Sequence, residues 1–543
     1  MTTQNLSNKE QYFTNGTIYI DAKRKVKNIV VKNKKVVAVD VKKEDYKDAV
    51  IVDLNGGFAY PGFCDSHVHV VEVGVFEDDI DLLNCTTPAE IAKKVAETIK
   101  EMAKDLPENA PMIGIGFVLD DVSAWSLDDL ALIDEATGSI PVMLVDLFGH
   151  NCIINSATIA LSKLTSKTPS PMGGSIVIQD DKPTGMLLES SMAIAGDVIL
   201  PLFSDDHIAK GATKLLNHWS EMGYTGVVDL MGAPLGKMLN PGICRRMEMA
   251  NILPVRVTYM YTFASLDQID GALNLKDYDT DLVRFGGLKI FVDGAFGAGH
   301  AWTIDKNLVG HNGLHYVASD DSSGEKYNLN RIVEKANEIE FNVHYHTQGD
   351  KAIGTVLDAL NHAIAKHGKL TSTHILAHVA FPTDEQIERI KNFNGHVVTA
   401  VQPGFWQGES GTEKYYGDKA FKAYPIKKMM DAGISTGMGT DYTTSPMPLC
   451  APSTIMGIAM RGAGDPENHP PLTMESLITG FTVGSAAATP YSNENGKLDV
   501  GYNADMVIYD RDLYSVTKEE LDKDNPKVMS TWLGGREAYT CKS

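Results

Sequence analysis

Short runs of alternating apolar and polar residues open and close the chain, and a long series of strand-then-helix patterns lies between them. Near the N-terminus, residues 16–21 (GTIYID), 28–33 (NIVVKN) and 35–40 (KVVAVD) are rich in β-branched residues and are separated by Lys, Asn and Asp, which predicts short strands joined by turns. Residues 505–510 (DMVIYD) and the segment around Trp532 repeat the pattern at the far end. Two β-rich ends around a long middle predict one small β domain built from both termini, with two separate β appendages as the alternative. In the middle, strand-like runs fall at residues 59–70, 223–230, 254–263, 286–294, 341–346, 373–378, 396–402 and 434–441. The segment after the fifth run carries Ile353, Val356, Leu357, Leu360 and Ile364 at helical spacing and stops at Gly368. Thr383 followed by Gln386 has the spacing of a capping box and predicts the start of another helix.

Eight strands separated by helices predict an α/β fold, a (β/α)8 TIM-like barrel. An open doubly wound sheet is the rival, and no glycine-rich phosphate loop supports it. The expected layout is residues 1–60 as the first part of a small β-sandwich domain, 61–490 as the barrel, and 491–543 as the second part of the sandwich. The gap between the first and second runs is too long for one crossover, so a large insertion is expected after barrel strand 1, at about residues 72–222 of a fold that needs about 250 in all. It contains strand-like runs of its own at 111–119 and 140–150. Because it follows the C-terminal end of a barrel strand, it is expected to overhang the active-site mouth.

The net charge of −21 disfavours a nucleic-acid partner, whose phosphates need a basic surface. Hydrophobic content of 43% and charged content of 22% fit a globular enzyme. The polar start of the chain has no apolar signal segment, and no stretch reads as a membrane helix. The 6 cysteines lie scattered at 64, 85, 152, 244, 450 and 541, without a CxxC pair, and are expected to be reduced thiols in a cytoplasm. A small-molecule substrate and a homodimer are the expected partners.

The chemistry concentrates at strand ends. His67 and His69 stand two apart on a predicted strand, so both imidazoles face the barrel interior, as chelation of one metal requires. His346 closes the fifth strand, His378 the sixth and Asp441 the eighth, the positions where barrel enzymes carry their catalytic groups. Lys289 interrupts an apolar strand. A buried lysine there is either paired, for instance with Asp293, or chemically altered. Carboxylation to a metal-bridging carbamate needs the neutral amine, which burial beside cations favours.

These segments together resemble the amidohydrolase superfamily: PGFCDSHVHV at 61–70, the lysine strand, HxxGD at 346–350, the lone histidine of strand six, and GTD at 439–441. The segments at 149–157, 183–190 (PTGMLLES), 291–297 (FVDGAFG) and 496–510 narrow the resemblance to the amidohydrolase-3 branch, with its YtcJ-like proteins and N-substituted formamide deformylases. It runs from about residue 12 to about residue 535. The resemblance implies that His67, His69, His346, His378 and Asp441 hold metal and that Lys289 bridges. Two zinc ions are the first expectation, with iron, manganese and nickel also compatible.

It implies hydrolysis of an amide, formamide or N-acyl C–N bond by a metal-activated hydroxide, with Asp441 as general base and then acid. A deaminase or cyclic amidase on the same scaffold is the alternative, and a barrel that has lost its metals is disfavoured because every expected ligand is present. His150 and Glu189 enter as further site candidates through the segments that carry them, with His150 donating to the substrate carbonyl. Trp125, Trp302, Phe405 and Trp406 are candidates to line an apolar pocket, Trp302 as a substrate contact. Two departures from the family pattern, Tyr442 after Asp441 and Ala377 before His378, are expected to reshape the pocket. Loss of activity below about pH 6 is expected from protonation of histidines near their ordinary value and of the bridging hydroxide, steepened by metal release.

Overall fold

The computed structural model describes residues 9–74, 80–102, 110–230, 242–321, 324–408, 412–442, 444–462 and 469–541. At its centre are eight strands in one parallel sheet: β1 Phe63–Val68, β2 Tyr224–Asp229, β3 Arg256–Thr262, β4 Val283–Phe291, β5 Val343–Thr347, β6 His374–His378, β7 Val397–Val401 and β8 Thr436–Met438. Each pairs with its neighbour in chain order. The ring closes where the last strand returns to the first. The Asp441 N–H donates to the His67 carbonyl at 2.8 Å, and the His69 N–H donates to the Tyr442 carbonyl at 3.2 Å. Gly439 makes this approach possible, because a Cβ there would stand 2.8 Å from the His67 nitrogen. The fold is thus the expected TIM-like barrel. The helix Asp350–His367 buries Ile353, Val356, Leu357 and Leu360 and ends at left-handed Gly368, and Thr383 forms its capping box with Gln386.

The two termini share a pair of sheets. Lys25–Val26, Thr17–Tyr19, Phe58–Pro61, Met506–Tyr509, Val528–Leu533 and Arg536–Thr540 form one six-stranded sheet in that order. A four-stranded sheet of Gln11–Thr14, Ile29–Lys32, Lys35–Val39 and Val50–Asp53 covers it across a core of Phe13, Ile18, Val31, Met506, Ile508 and Trp532. The run at 59–70, read from sequence as one strand, is two. Phe58–Pro61 belongs to the terminal sheet and Phe63–Val68 to the barrel, and the chain changes sheets at Gly62, where a Cβ would lie 2.0 Å from the Thr225 hydroxyl oxygen. At the barrel floor Arg256 forms a buried two-point pair with Asp505, Nε to Oδ2 at 2.6 Å and NH2 to Oδ1 at 3.1 Å, which joins barrel and terminal sheet.

Between β1 and β2 lies a second six-stranded sheet, in the order Ser175–Gln179, Lys182–Leu188, Asn151–Ile154, Val142–Asp146, Met112–Phe117 and Ile80–Asp81. Helices Pro88–Met102 and Leu127–Thr137 pack on it around an apolar core of its own that includes Ile80, Ile91, Val95 and Ile133. Trp125 lies in this core with its indole N–H on the Thr184 carbonyl, so it is a packing residue of the insertion and not a pocket wall.

Candidate active site

β1 ends at Val68, so His69 stands just beyond the strand, yet both histidines of the HxH pair reach the same carboxylate. His67 Nε2 lies 3.4 Å and His69 Nε2 3.7 Å from Asp441 Oδ1, while His378 Nδ1 lies 3.9 Å from Oδ2. Asp441 stands three residues past β8 instead of on it. Its φ of 52° and the 67° of His378 place both in the left-handed region, a strained setting that a loop holds only where the surroundings dictate it. His346, at the end of β5, meets His378 through Nδ1 and Nε2 at 3.0 Å. The structure therefore gathers His67, His69, His346, His378 and Asp441 at one end of the barrel.

Lys289 is fully buried in β4 beside this group, its Nζ 4.7 Å from the Phe291 ring and without a hydrogen-bond partner among the described residues. The pairing with Asp293 weighed from sequence is not formed. Asp293 instead accepts the backbone N–H groups of Gln348, Gly349 and Trp302 at 3.0, 2.8 and 2.9 Å. This explains the HxxGD motif in structural terms. Gly349 lets the loop pass under Trp302, whose carbonyl oxygen would lie 1.9 Å from a Cβ, and Asp350 accepts the Ile304 N–H at 2.8 Å. Gly349→Ala is accordingly expected to destabilise the protein by about 1–3 kcal/mol through overpacking against backbone. Denaturant unfolding checks this, and an unchanged midpoint would refute the account.

Sequence reasoning missed several members of the site. His344 repeats in β5 the two-residue spacing of His67 and His69. Its Nε2 meets His67 Nδ1 at 3.0 Å and so orients that ring; the HYH run at 344–346 carried the signal. Gln402 Oε1 holds His378 Nδ1 at 2.9 Å. Asp65, two residues before His67, accepts from the Trp219 indole at 2.9 Å and from the Thr440 hydroxyl at 2.7 Å, which fixes the GTD turn. Phe405 lies near the site, with its ring 6.4 Å from that of His378. Trp302 stacks on His315 at 4.6 Å, and Trp406 donates to the Tyr424 carbonyl. The Tyr442 ring packs edge-on against buried Trp219.

The insertion contributes His150 and Glu189. The His150 ring lies 5.4 Å from that of His346, and its Nδ1 meets Glu189 Oε2 at 2.5 Å. Burial alone would lower the pKa of His150, but the Glu189 carboxylate outweighs it and raises it. Burial acts the other way on the barrel histidines. It pushes His67, His344, His346 and His378 well below their ordinary range and His69 down to about 3, with Lys289 adding to the effect. Burial also lowers Lys289 to about 7, against the pull of Asp441 and Asp293, and raises Asp441 to about 6. Neutral imidazoles, an amine that sheds its proton near neutrality and a carboxylate are what a cation site requires. One ligand atom from each of His67, His378 and Asp441 already lies within 4.8 Å of the others, and His346 Nε2 is buried without a hydrogen-bond partner among the described residues. The donor set fits a divalent metal.

Comparisons with known proteins identify the family. The chain is 24% identical over 517 residues to an N-substituted formamide deformylase of Arthrobacter pascens, covering 91% of this chain and 90% of that one. It is 25% identical over 502 residues to YtcJ of Bacillus subtilis, covering 90% of each. A solved structure of an uncharacterized metal-dependent hydrolase from Pyrococcus horikoshii superposes with a TM-score of 0.73 at 23% identity, covering 94% of this chain and 99% of that one. The model of the amidohydrolase family matches residues 50–539. The chain belongs to the amidohydrolase family.

Proposed function

We propose that the chain is a metal-dependent hydrolase that cleaves a non-peptide C–N bond, an amide, formamide or N-acyl linkage, in a small molecule. The observation that carries this reading is the convergence of four histidines and Asp441 on one barrel mouth beside the buried amine of Lys289, which has no hydrogen-bond partner among the described residues. His67, His69, His346, His378 and Asp441 would hold the metal, with Lys289 joining them as a carbamate. Zinc is the first choice for this mixed imidazole and carboxylate set, and iron, manganese or nickel also fits. When bound, a divalent cation supplies Lewis acidity, which polarises a carbonyl and eases deprotonation of water.

The remaining roles fall to the chain's own groups. Asp441 takes a proton from the attacking water and hands it to the leaving nitrogen, which departs as the amine. His150 donates to the carbonyl oxygen of the scissile bond, where negative charge develops. Trp302, on the loop held by Asp293, is a candidate substrate contact. The test joins metal analysis with a panel of N-formyl, N-acyl, carbamate and cyclic amide compounds read by mass spectrometry. The purified protein is expected to carry about one to two divalent ions per chain and to release a carboxylate and an amine. Full activity after exhaustive chelation would overturn the reading.

A further inference from the structure

Glu189 lies where the insertion meets the barrel, and the sheet puts it there. The antiparallel pairing of Asn151–Ile154 with Lys182–Leu188 ends on Asn151 opposite Leu188. One residue further on, the Glu189 N–H donates to the His150 carbonyl at 2.6 Å, so the two side chains leave the end of the ladder together. Glu189 is completely buried, and its φ of 53° is left-handed. Each carboxylate oxygen is occupied. His150 Nδ1 contacts Oε2 at 2.5 Å, the Tyr316 hydroxyl donates to Oε2 at 2.6 Å, and His300 Nδ1 contacts Oε1 at 2.5 Å. Gly294, in the FVDGAFG segment, leaves room for this arrangement, since a Cβ there would stand 2.9 Å from Oε1 and 2.8 Å from His300 Cβ.

An ionised carboxylate only accepts hydrogen bonds, so both imidazole Nδ1 atoms must carry their hydrogens. That leaves Nε2 as the remaining polar atom of the His150 ring, and the ring lies on the His346 side, 5.4 Å from it. We propose that Glu189 is a positioning residue: seated by His300 and Tyr316 of the barrel, its carboxylate takes the Nδ1 hydrogen of His150, fixes the ring and holds it as the imidazolium, so that the Nε2 hydrogen is donated to the scissile carbonyl oxygen. A strained residue, a two-sided histidine contact and a glycine-sized gap would be a costly way merely to attach the insertion. The proposal rests on the hydrolase reading given above, and its test separates the two.

Two measurements decide it. In the metal-replete protein, Glu189→Gln is expected to lower kcat about 10–100-fold, the usual size of an orienting-shell effect, with metal content unchanged and KM within about threefold. His150→Asn is expected to lose a similar amount, and the double variant no more than the worse single one, because the residues act as a unit. Tyr316→Phe, a milder change in case Glu189→Gln fails to fold, is expected to show a smaller kcat loss of the same kind. The second measurement needs no substrate. Histidine-labelled protein is expected to show two far-downfield exchangeable protons, one lost in His150→Asn, the other in His300→Asn, and both in Glu189→Gln. Additive kinetic losses, or a loss traced to metal or KM, would overturn the proposal. So would a His150 ring that carries a hydrogen on only one of its nitrogens, even if no substrate were found.

Discussion

Asp441→Asn is expected to keep the fold and close to the full metal content, and to lose about 10²–10⁴-fold in kcat, the usual contribution of a general acid–base group. The substitution suits the backbone, since Asn tolerates the left-handed φ of 52° that the GTD turn imposes. It also keeps one coordinating oxygen and the N–H bond to the His67 carbonyl that closes the barrel. It removes the ability to take a proton. Asp441 stands within 3.4 to 3.9 Å of three imidazoles, so ligation and proton transfer are both open to it, and kcat and metal stoichiometry measured on one preparation separate them. Metal falling in step with rate would assign it to ligation. Full metal with a rate within about threefold of the parent would exclude both roles and move the search for a base to His150 and Glu189.

Burial points to Asp441 as a source of an acid limb of activity, beside the histidines and hydroxide expected from sequence. Ordinary histidines begin to protonate near pH 6.5, but burial holds those of this site well below that, so they stay neutral on mild acidification. The carboxyl of Asp441, raised to about 6 by burial, takes a proton before those histidines do. A group raised in this way is ionised above its pKa and neutral below it, so affinity for a cation is expected to fall as pH drops through about 6. The barrel was legible because strand and helix periods differ and because strand ends carried His and Asp in a row. The HxH spacing announced His67 and His69, and the same spacing in HYH announced His344 to a reader who counted both. His300 and Tyr316 were not legible. They act through contacts between the connection after β4 and the insertion, and no local spacing encodes a meeting of segments more than a hundred residues apart in sequence, as Glu189 and His300 are. Trp125 shows the reverse error, because a large aromatic in an insertion satisfies that insertion's own core first.

Lys289 supplies the second large effect, and the sign of its two consequences differs. Its amine is buried without a partner among the described residues, and burial lowers its pKa from 10.5 to about 7. An amine depressed in this way costs stability below its unfolded pKa, most below about pH 7, and the cost fades as pH rises towards 10.5. Lys289→Met fills the space with an apolar chain and is expected to raise the stability of the metal-free protein by about 1–3 kcal/mol at pH 7, the range for relieving a buried unpaired polar group. The gain should shrink as the pH is raised from 7 to 10. Such a costly lysine makes sense as the reactive form itself, since the same depression leaves about half the amine neutral at pH 7 and able to add carbon dioxide. The substitution is therefore expected to lower metal affinity by at least about the 10–100-fold seen on losing a supporting group at such sites, and activity with it. In Lys289→Ala, which leaves room beside Asp441, formate or acetate is expected to restore part of both. Calorimetry at pH 7 and pH 9, with metal analysis of the same samples, checks the pair of signs. A variant that is stabilised and still binds metal like the parent would show that Lys289 is no ligand, and one that is destabilised would show that its amine has a partner it depends on.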